Sequence, residues 1–395
     1  MGKSTAGVSL GFVRGMLITE SIKAKLQFPG KINISSLYKF TVALLNYLRF
    51  IMIRIYRQLF PLGLAVLIFL ITVIFSLSAV AQNSLKNIPL PIKINSVNEE
   101  YSGLAWSGDR LYLLPQYGNH KETLLDGDFS LYSLRADSIA RVIDGKDTAL
   151  TQFKVLSVKN LDKLPDSIKM HYQGFEAITF HKNEVFLAIE TDDKYDYCFI
   201  IKGVLDEQQS QILIDPTRTI ALKRYPYIFN AGFESLTYLP DKHQLMALFE
   251  FNGMHTGGIG FLIDTDFKSK PREIAVPYLP FRITDIQATE RGRIYGINYY
   301  WEGDYNVYLN NNMLRNQEGA VKKWAPELGD SLKTKSYARI VTKKRWKSKS
   351  WDQVATFEAN KTNWEGLALF RNGALVITDA NRSKKLKTVF AFIEF

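Results

Sequence analysis

Four acidic residues, Glu176, Glu234, Asp285 and Glu365, recur in a repeated short phrase of this chain, and a fifth copy carries Ser102 at that place. The copies read Tyr101-Ser102-Gly103-Leu104-Ala105, Phe175-Glu176-Ala177-Ile178-Thr179, Phe233-Glu234-Ser235-Leu236-Thr237, Thr284-Asp285-Ile286-Gln287-Ala288 and Trp364-Glu365-Gly366-Leu367-Ala368. A second oxygen-bearing residue follows each one, at Gln116, Glu190, Glu250, Asn298 and Asp379.

If the phrases converge, several carboxylates meet, and their repulsion requires either bound protons or a cation. Oxygen donors of the Glu, Asp, Asn, Gln and Ser type suit a hard ion, Ca²⁺ above Mg²⁺ because its shell is larger and more flexible. On this reading Glu176, Glu234, Asp285 and Glu365 are inner metal ligands, and Glu190, Glu250 and Asp379 are candidate catalytic bases. The alternative is structural: acids at such junctions accept hydrogen bonds from neighbouring backbone N–H groups. The five histidines show no zinc-ligand spacing, and no Gly-x-Ser-x-Gly elbow occurs.

The elements that must position these residues are hairpins. Each phrase precedes a turn signal and a second apolar run, such as Ser107-Gly108-Asp109 before Leu111-Tyr112-Leu113-Leu114. With one or two further β-rich segments per copy, the arithmetic is that of propeller blades. The expected fold is an all-β propeller of five or six blades. Strand-like segments at Leu90-Pro91-Ile92-Lys93-Ile94 and at the C-terminal run ending in Phe395 should share a blade and close the ring. A Lys/Arg-rich stretch, Lys333 to Lys349, reads as a loop or outer strand, or alternatively as a rim that attracts anionic substrate.

Residues 82–395 form the expected propeller domain. Ahead of it, no charged residue occurs from Leu59 to Val80, Arg54 and Arg57 precede that apolar run, and Ala79-Val80-Ala81 follows as an export-peptidase pattern. Residues 52–81 thus read as a signal peptide and 1–51 as an over-called start; the competing reading is a retained membrane anchor. Either way the domain leaves the cytoplasm, to be periplasmic, secreted or at the cell surface. The formal charge is +11, but residues 1–82 hold nine Lys or Arg against Glu20 alone, so +3 remains for the domain. Polyanion binding is not indicated, and no nucleic-acid partner is expected. Cys198 is the only cysteine, which excludes an intramolecular disulfide.

At its phrases the chain resembles the phytase-like family of exported bacterial propellers, the domain labelled "esterase-like activity of phytase". The likeness spans most of residues 98 to 395. It lies in the order of motifs: Ser102 to Leu104, Glu176-Ala177-Ile178, Gly232 to Leu236, Thr284 to Ile286, then Glu365-Gly366-Leu367 with Thr378-Asp379-Ala380-Asn381. The first hairpin departs from the family pattern, with Pro115-Gln116 where an aspartate is expected. The resemblance implies a propeller, export, calcium, and hydrolysis of phosphate or other esters. Arg282 and Arg382 are then placed to contact phosphate bidentately, or else form ordinary salt bridges. The expected protein is a monomeric hydrolase for a small anionic or ester substrate. Its rival is a non-catalytic propeller that recognises a glycan or protein and uses the cation only as a staple.

Overall fold

In the computed structural model, residues 41–48, 84–96, 98–118, 124, 129–224, 231–253, 257–305, 334–357, 362–380 and 388–395 are described. The chain divides into two compact units, Met1–Ala81 and Gln82–Phe395. In the first, residues 41–48 are helical. The apolar run from Leu59 to Val80 lies outside the described residues, and among those described no helix is long and apolar enough to cross a membrane.

The second unit opens with β1 (Leu85–Asn87) and continues as five four-stranded blades. Blade one is β2 (Tyr101–Ser107), β3 (Arg110–Pro115), β4 (Phe129–Arg135) and β5 (Lys154–Lys159). Blade two is β6 (Tyr172–His181), β7 (Glu184–Thr191), β8 (Tyr197–Asp206) and β9 (Gln211–Lys223). Blade three is β10 (Ser235–Leu239), β11 (Gln244–Leu248), β12 (Gly258–Asp264) and β13 (Arg272–Val276). Blade four is β14 (Arg282–Ala288), β15 (Ile294–Tyr300), β16 (Tyr337–Lys343) and β17 (Asp352–Phe357). Blade five takes β18 (Asn363–Phe370), β19 (Gly373–Asp379) and β20 (Phe390–Glu394), and β1 completes it. Blades one and two are joined at their outer edges, where β5 and β9 pair in parallel over three residues.

The ring therefore closes as expected, by N- and C-terminal strands sharing a blade: Leu85, Lys86 and Asn87 pair with Ile393, Phe392 and Ala391. The closing strand differs from the expected one. Residues Ile92–Ile94 form a 3₁₀ turn, because Pro89 and Pro91 remove two ladder donors and fix the local backbone. A sixth blade is not found among the described residues. The long interval after the first phrase is filled by a helix, Ala136–Ile143, and by short helical turns at Leu161–Lys163 and Asp166–Lys169.

Each blade hides both faces against its neighbours, so the core falls into five clusters, one per blade junction. Phe129 and Phe175 lie between blades one and two, and Phe186, Phe233 and Phe249 between two and three. Leu262, Ile286 and Trp351 fill the third junction, Ile297, Phe357 and Trp364 the fourth, and Tyr101, Leu104 and Phe392 the fifth. Burying each such side chain contributes about 1.5–3 kcal/mol.

Side chains of the inner strands also stitch neighbouring backbones together. Ser102 Oγ donates to Phe175 O at 2.5 Å, Ser235 Oγ to Ile283 O at 3.0 Å and Thr284 Oγ1 to Trp364 O at 2.5 Å. Thr179, Thr237 and Gln287 accept N–H bonds from Tyr238, Ala288 and Leu369 in the next blade. Each bond contributes about 1 kcal/mol and fixes the angle between blades.

Candidate functional site

The first strands, β2, β6, β10, β14 and β18, contact one another in that order and return to β2, so they line the central channel. Near the start of four of them the ladder slips by one residue: at Ser102, Glu176, Thr284 and Glu365. A bulge leaves its extra residue unpaired and re-aims the side chain. Glu234 stands at the same place in blade three, immediately before β10.

The register corrects the fourth phrase. The bulged residue of blade four is Thr284, and Asp285 lies one place further along, level with Gly103, Ala177 and Gly366. Asp285 is buried, and its carboxylate accepts the N–H of Ile286 at 2.8 Å and of Leu367 at 2.7 Å, with a further bond from the Leu104 backbone. It joins blade four to blades five and one, which is the structural alternative raised above. Burial pushes its pKa well up, and the backbone donors pull against that.

The same slip affects the second strand. Asn298 pairs with Ile283, donates to Pro280 O and Arg282 O, and accepts from Arg339 Nε. The position level with Glu190, Glu250 and Asp379 is therefore held by Tyr299, one residue further on. Tyr299 is buried and senses the charges of Glu365 and Arg282.

Six carboxyl groups remain together: Glu176, Glu190, Glu234, Glu250, Glu365 and Asp379. All are buried, and Glu250 is 0% exposed. Each of the five glutamates has its pKa raised by burial first, and all but Glu250 are raised further by their acidic neighbours within the set. Glu190 is pushed up to about 8, with Arg224 and Arg282 opposing the rise. Gln116 donates its amide to Glu176 Oε1 at 2.7 Å, so the uncharged residue at this place in blade one supplies a hydrogen bond to a buried acid.

Arg282 stands inside this cluster. Its Nη1 lies 2.7 Å from Glu250 Oε2, its Nη2 3.1 Å from Asp304 Oδ2, and its guanidinium 4.8 Å from the Phe251 ring centroid. Of the two roles raised for it, phosphate contact or salt bridge, the salt bridge is the one seen: it is the counter-ion of two carboxylates. Asp304 was not singled out by the phrase pattern, because it lies in a 3₁₀ turn beyond β15. Phe281, immediately before Arg282, has a left-handed backbone (φ 71°) and packs on Tyr300 at 4.5 Å. A non-glycine residue in that region is strained. Arg382 lies outside the described residues.

Gly232 N donates to Glu250 Oε1 at 3.1 Å, and a Cβ at Gly232 would stand 3.2 Å from Glu190 Oε1. Oε2 of Glu234 is buried and no donor among the described residues reaches it. The adjoining Glu250 carboxyl can bond to Glu234 only if one of the two carries a proton. Among the described residues, no three His, Cys, Asp or Glu side chains are grouped to hold a metal ion by themselves.

The basic stretch after residue 333 sits elsewhere. Its described part forms β16 and the turn after it, and Lys343 pairs with Ile294 at the start of β15, the end of blade four remote from the carboxyl groups. The loop-or-strand reading holds for that part, and a rim around the acidic end does not.

No protein-family model and no curated protein matches the chain. Among solved structures, an exo-β-1,3-galactanase from Phanerochaete chrysosporium is similar at 8% identity and a TM-score of 0.44, over 78% of this chain and 64% of that one. A GH43 β-xylosidase/α-arabinofuranosidase from a compost microbial metagenome, in a calcium-free form, is similar at 11% identity and 0.41, over 80% and 92%. The GH43_1 enzyme from Xanthomonas citri is similar at 11% identity and 0.43, over 79% and 90%. At these scores the blade count rests on the strand pairing of this chain alone.

Proposed function

We propose that the chain is an exported phytase-like hydrolase that cleaves a phosphoester at the acidic end of the propeller channel with the help of Ca²⁺. The observation that carries this reading is the buried Glu234 oxygen with no donor among the described residues, in a set of carboxyl groups too crowded to ionise together. A missing proton or cation is what such a group lacks.

The donor chemistry fits calcium, since every candidate ligand is oxygen. Glu234, with its unpartnered oxygen, would anchor the ion; Glu176 and Glu365 are not grouped with it as a ready-made metal site and would have to close on the ion, with water and substrate oxygens completing the shell. A calcium ion held there would neutralise repulsion between the carboxylates and a phosphate and would polarise a phosphoryl oxygen. Glu250, raised by burial and drawn back toward its charged form by Arg282, takes a proton from the attacking water. The water oxygen bonds to phosphorus as the ester P–O bond breaks. Glu190, protonated at neutral pH, gives its proton to the leaving oxygen. Asp379, beside Glu365, holds that carboxyl in its protonated or metal-bound form.

The test is turnover of a panel of phosphomonoesters and carboxyl esters by the purified protein, with and without chelator. Chelator-sensitive phosphate release supports the reading. Loss of thermal stability on chelation with no turnover of any ester assigns the site to a binding propeller instead.

A further inference from the structure

The turn after β16 faces a second site, away from the channel. It lies across from β13, the outer edge strand of blade three. Between them runs a groove of about 530 Å³, walled by residues 272–277 on one side and 346–349 on the other. Lys343 props the turn by donating from Nζ to Trp346 O at 3.0 Å while packing 5.0 Å from the Trp351 ring.

Charge in the groove is one-sided. Arg272 and Lys347 lie 5.3 and 5.1 Å from the centroid of one ring, Trp346, and Lys349 joins them, against Glu273 alone. Among the described residues none of these three cations is paired with a carboxylate. Like charges gathered on one indole repel unless an anion sits among them. The other wall is β13, whose outer edge pairs with no strand among the described residues and whose Ile274 and Val276 are buried in the core. An edge strand is a template for an added strand.

We infer that this groove binds an acidic peptide segment in extended form, added to β13 as a fifth strand of blade three. Backbone pairing supplies the affinity, and Arg272, Lys347 and Lys349 select carboxylate side chains on the added strand. The contrary view is that the lysines only guard the edge against unwanted pairing.

The test is fluorescence anisotropy of a labelled peptide of alternating Glu and Val, titrated with the purified protein. Saturable binding is expected, weakened about tenfold or more by R272E or K347E in protein of unchanged thermal midpoint. It should be unchanged in E234Q, so that failure of the channel reading does not affect the result. Methylating alternate backbone nitrogens of the peptide should abolish binding for one set and spare it for the other, as a strand has only one edge toward β13. No saturable binding would overturn the inference, as would equal binding of both methylated peptides or displacement by dextran sulfate alone, which would mark simple charge attraction.

Discussion

Arg282 lies 2.7 Å from Glu250 across the junction of blades three and four, and among the described residues it is the cation that the channel's carboxyl groups share most widely: its charge opposes the rise in pKa of Glu190, Glu234, Glu250 and Glu365. Replacing it by Met leaves Glu250 buried without its counter-ion. Breaking such a pair costs about 3–5 kcal/mol when the survivor stays charged. Glu250 can instead take up a proton, so R282M should lose activity at neutral pH and lose less stability at about pH 5 than at about pH 8. Thermal melts at both pH values check this.

Stability should depend on pH in the reverse of the usual carboxylate sense. Burial and the neighbouring Glu250 push Glu190 up to about 8 in the folded chain, against 4.5 for an ordinary glutamate. Between those values the folded state keeps a proton that the unfolded state has lost. Unfolding free energy is therefore highest below about pH 4.5 as far as this group is concerned, and falls as pH rises toward about 8. Denaturant melts of chelator-treated protein across this range should show the decline, and E190Q should flatten it.

Gly232 is expected to be intolerant of a side chain for functional reasons. Its added methyl would press on the Glu190 carboxyl at 3.2 Å. G232A should reduce kcat strongly while changing stability by about 1 kcal/mol or less. Steady-state kinetics beside a melt would show whether the two separate.

Gly366 should behave differently. A Cβ there meets Ile377 Cγ2 at 2.6 Å and Leu104 Cγ at 2.9 Å, inside the packed junction of blades five and one. G366A should cost about 1–3 kcal/mol through overpacking, read from urea denaturation.

Asp285 tests the corrected register. D285N replaces an acceptor by a donor opposite backbone N–H groups, and should cost about 1–3 kcal/mol. Calcium affinity measured on the folded variant should remain that of the parent. A large fall in affinity would return Asp285 to the ligand set.

Much of the ring was legible in the sequence because its repeat is carried by hydrophobic alternation and turns, which recur even when side chains change. The acids at Glu176, Glu234 and Glu365 were readable for the same reason. Thr284 and Tyr299 were not, since a bulge adds a residue without any sequence mark and Asp285 offered a more tempting match one place away. Asp304 and the engagement of Arg282 depend on how a turn beyond β15 folds back over the channel, which spacing does not encode. The groove beside β13 joins two blades and exists only once they are packed.

The most direct test of the account is calorimetric titration of Ca²⁺ into chelator-treated protein at about pH 8, beside E234Q. A saturable site that releases protons on binding, and that E234Q loses, is the predicted result. Absence of binding in the parent protein, or binding of equal affinity in E234Q, would contradict it.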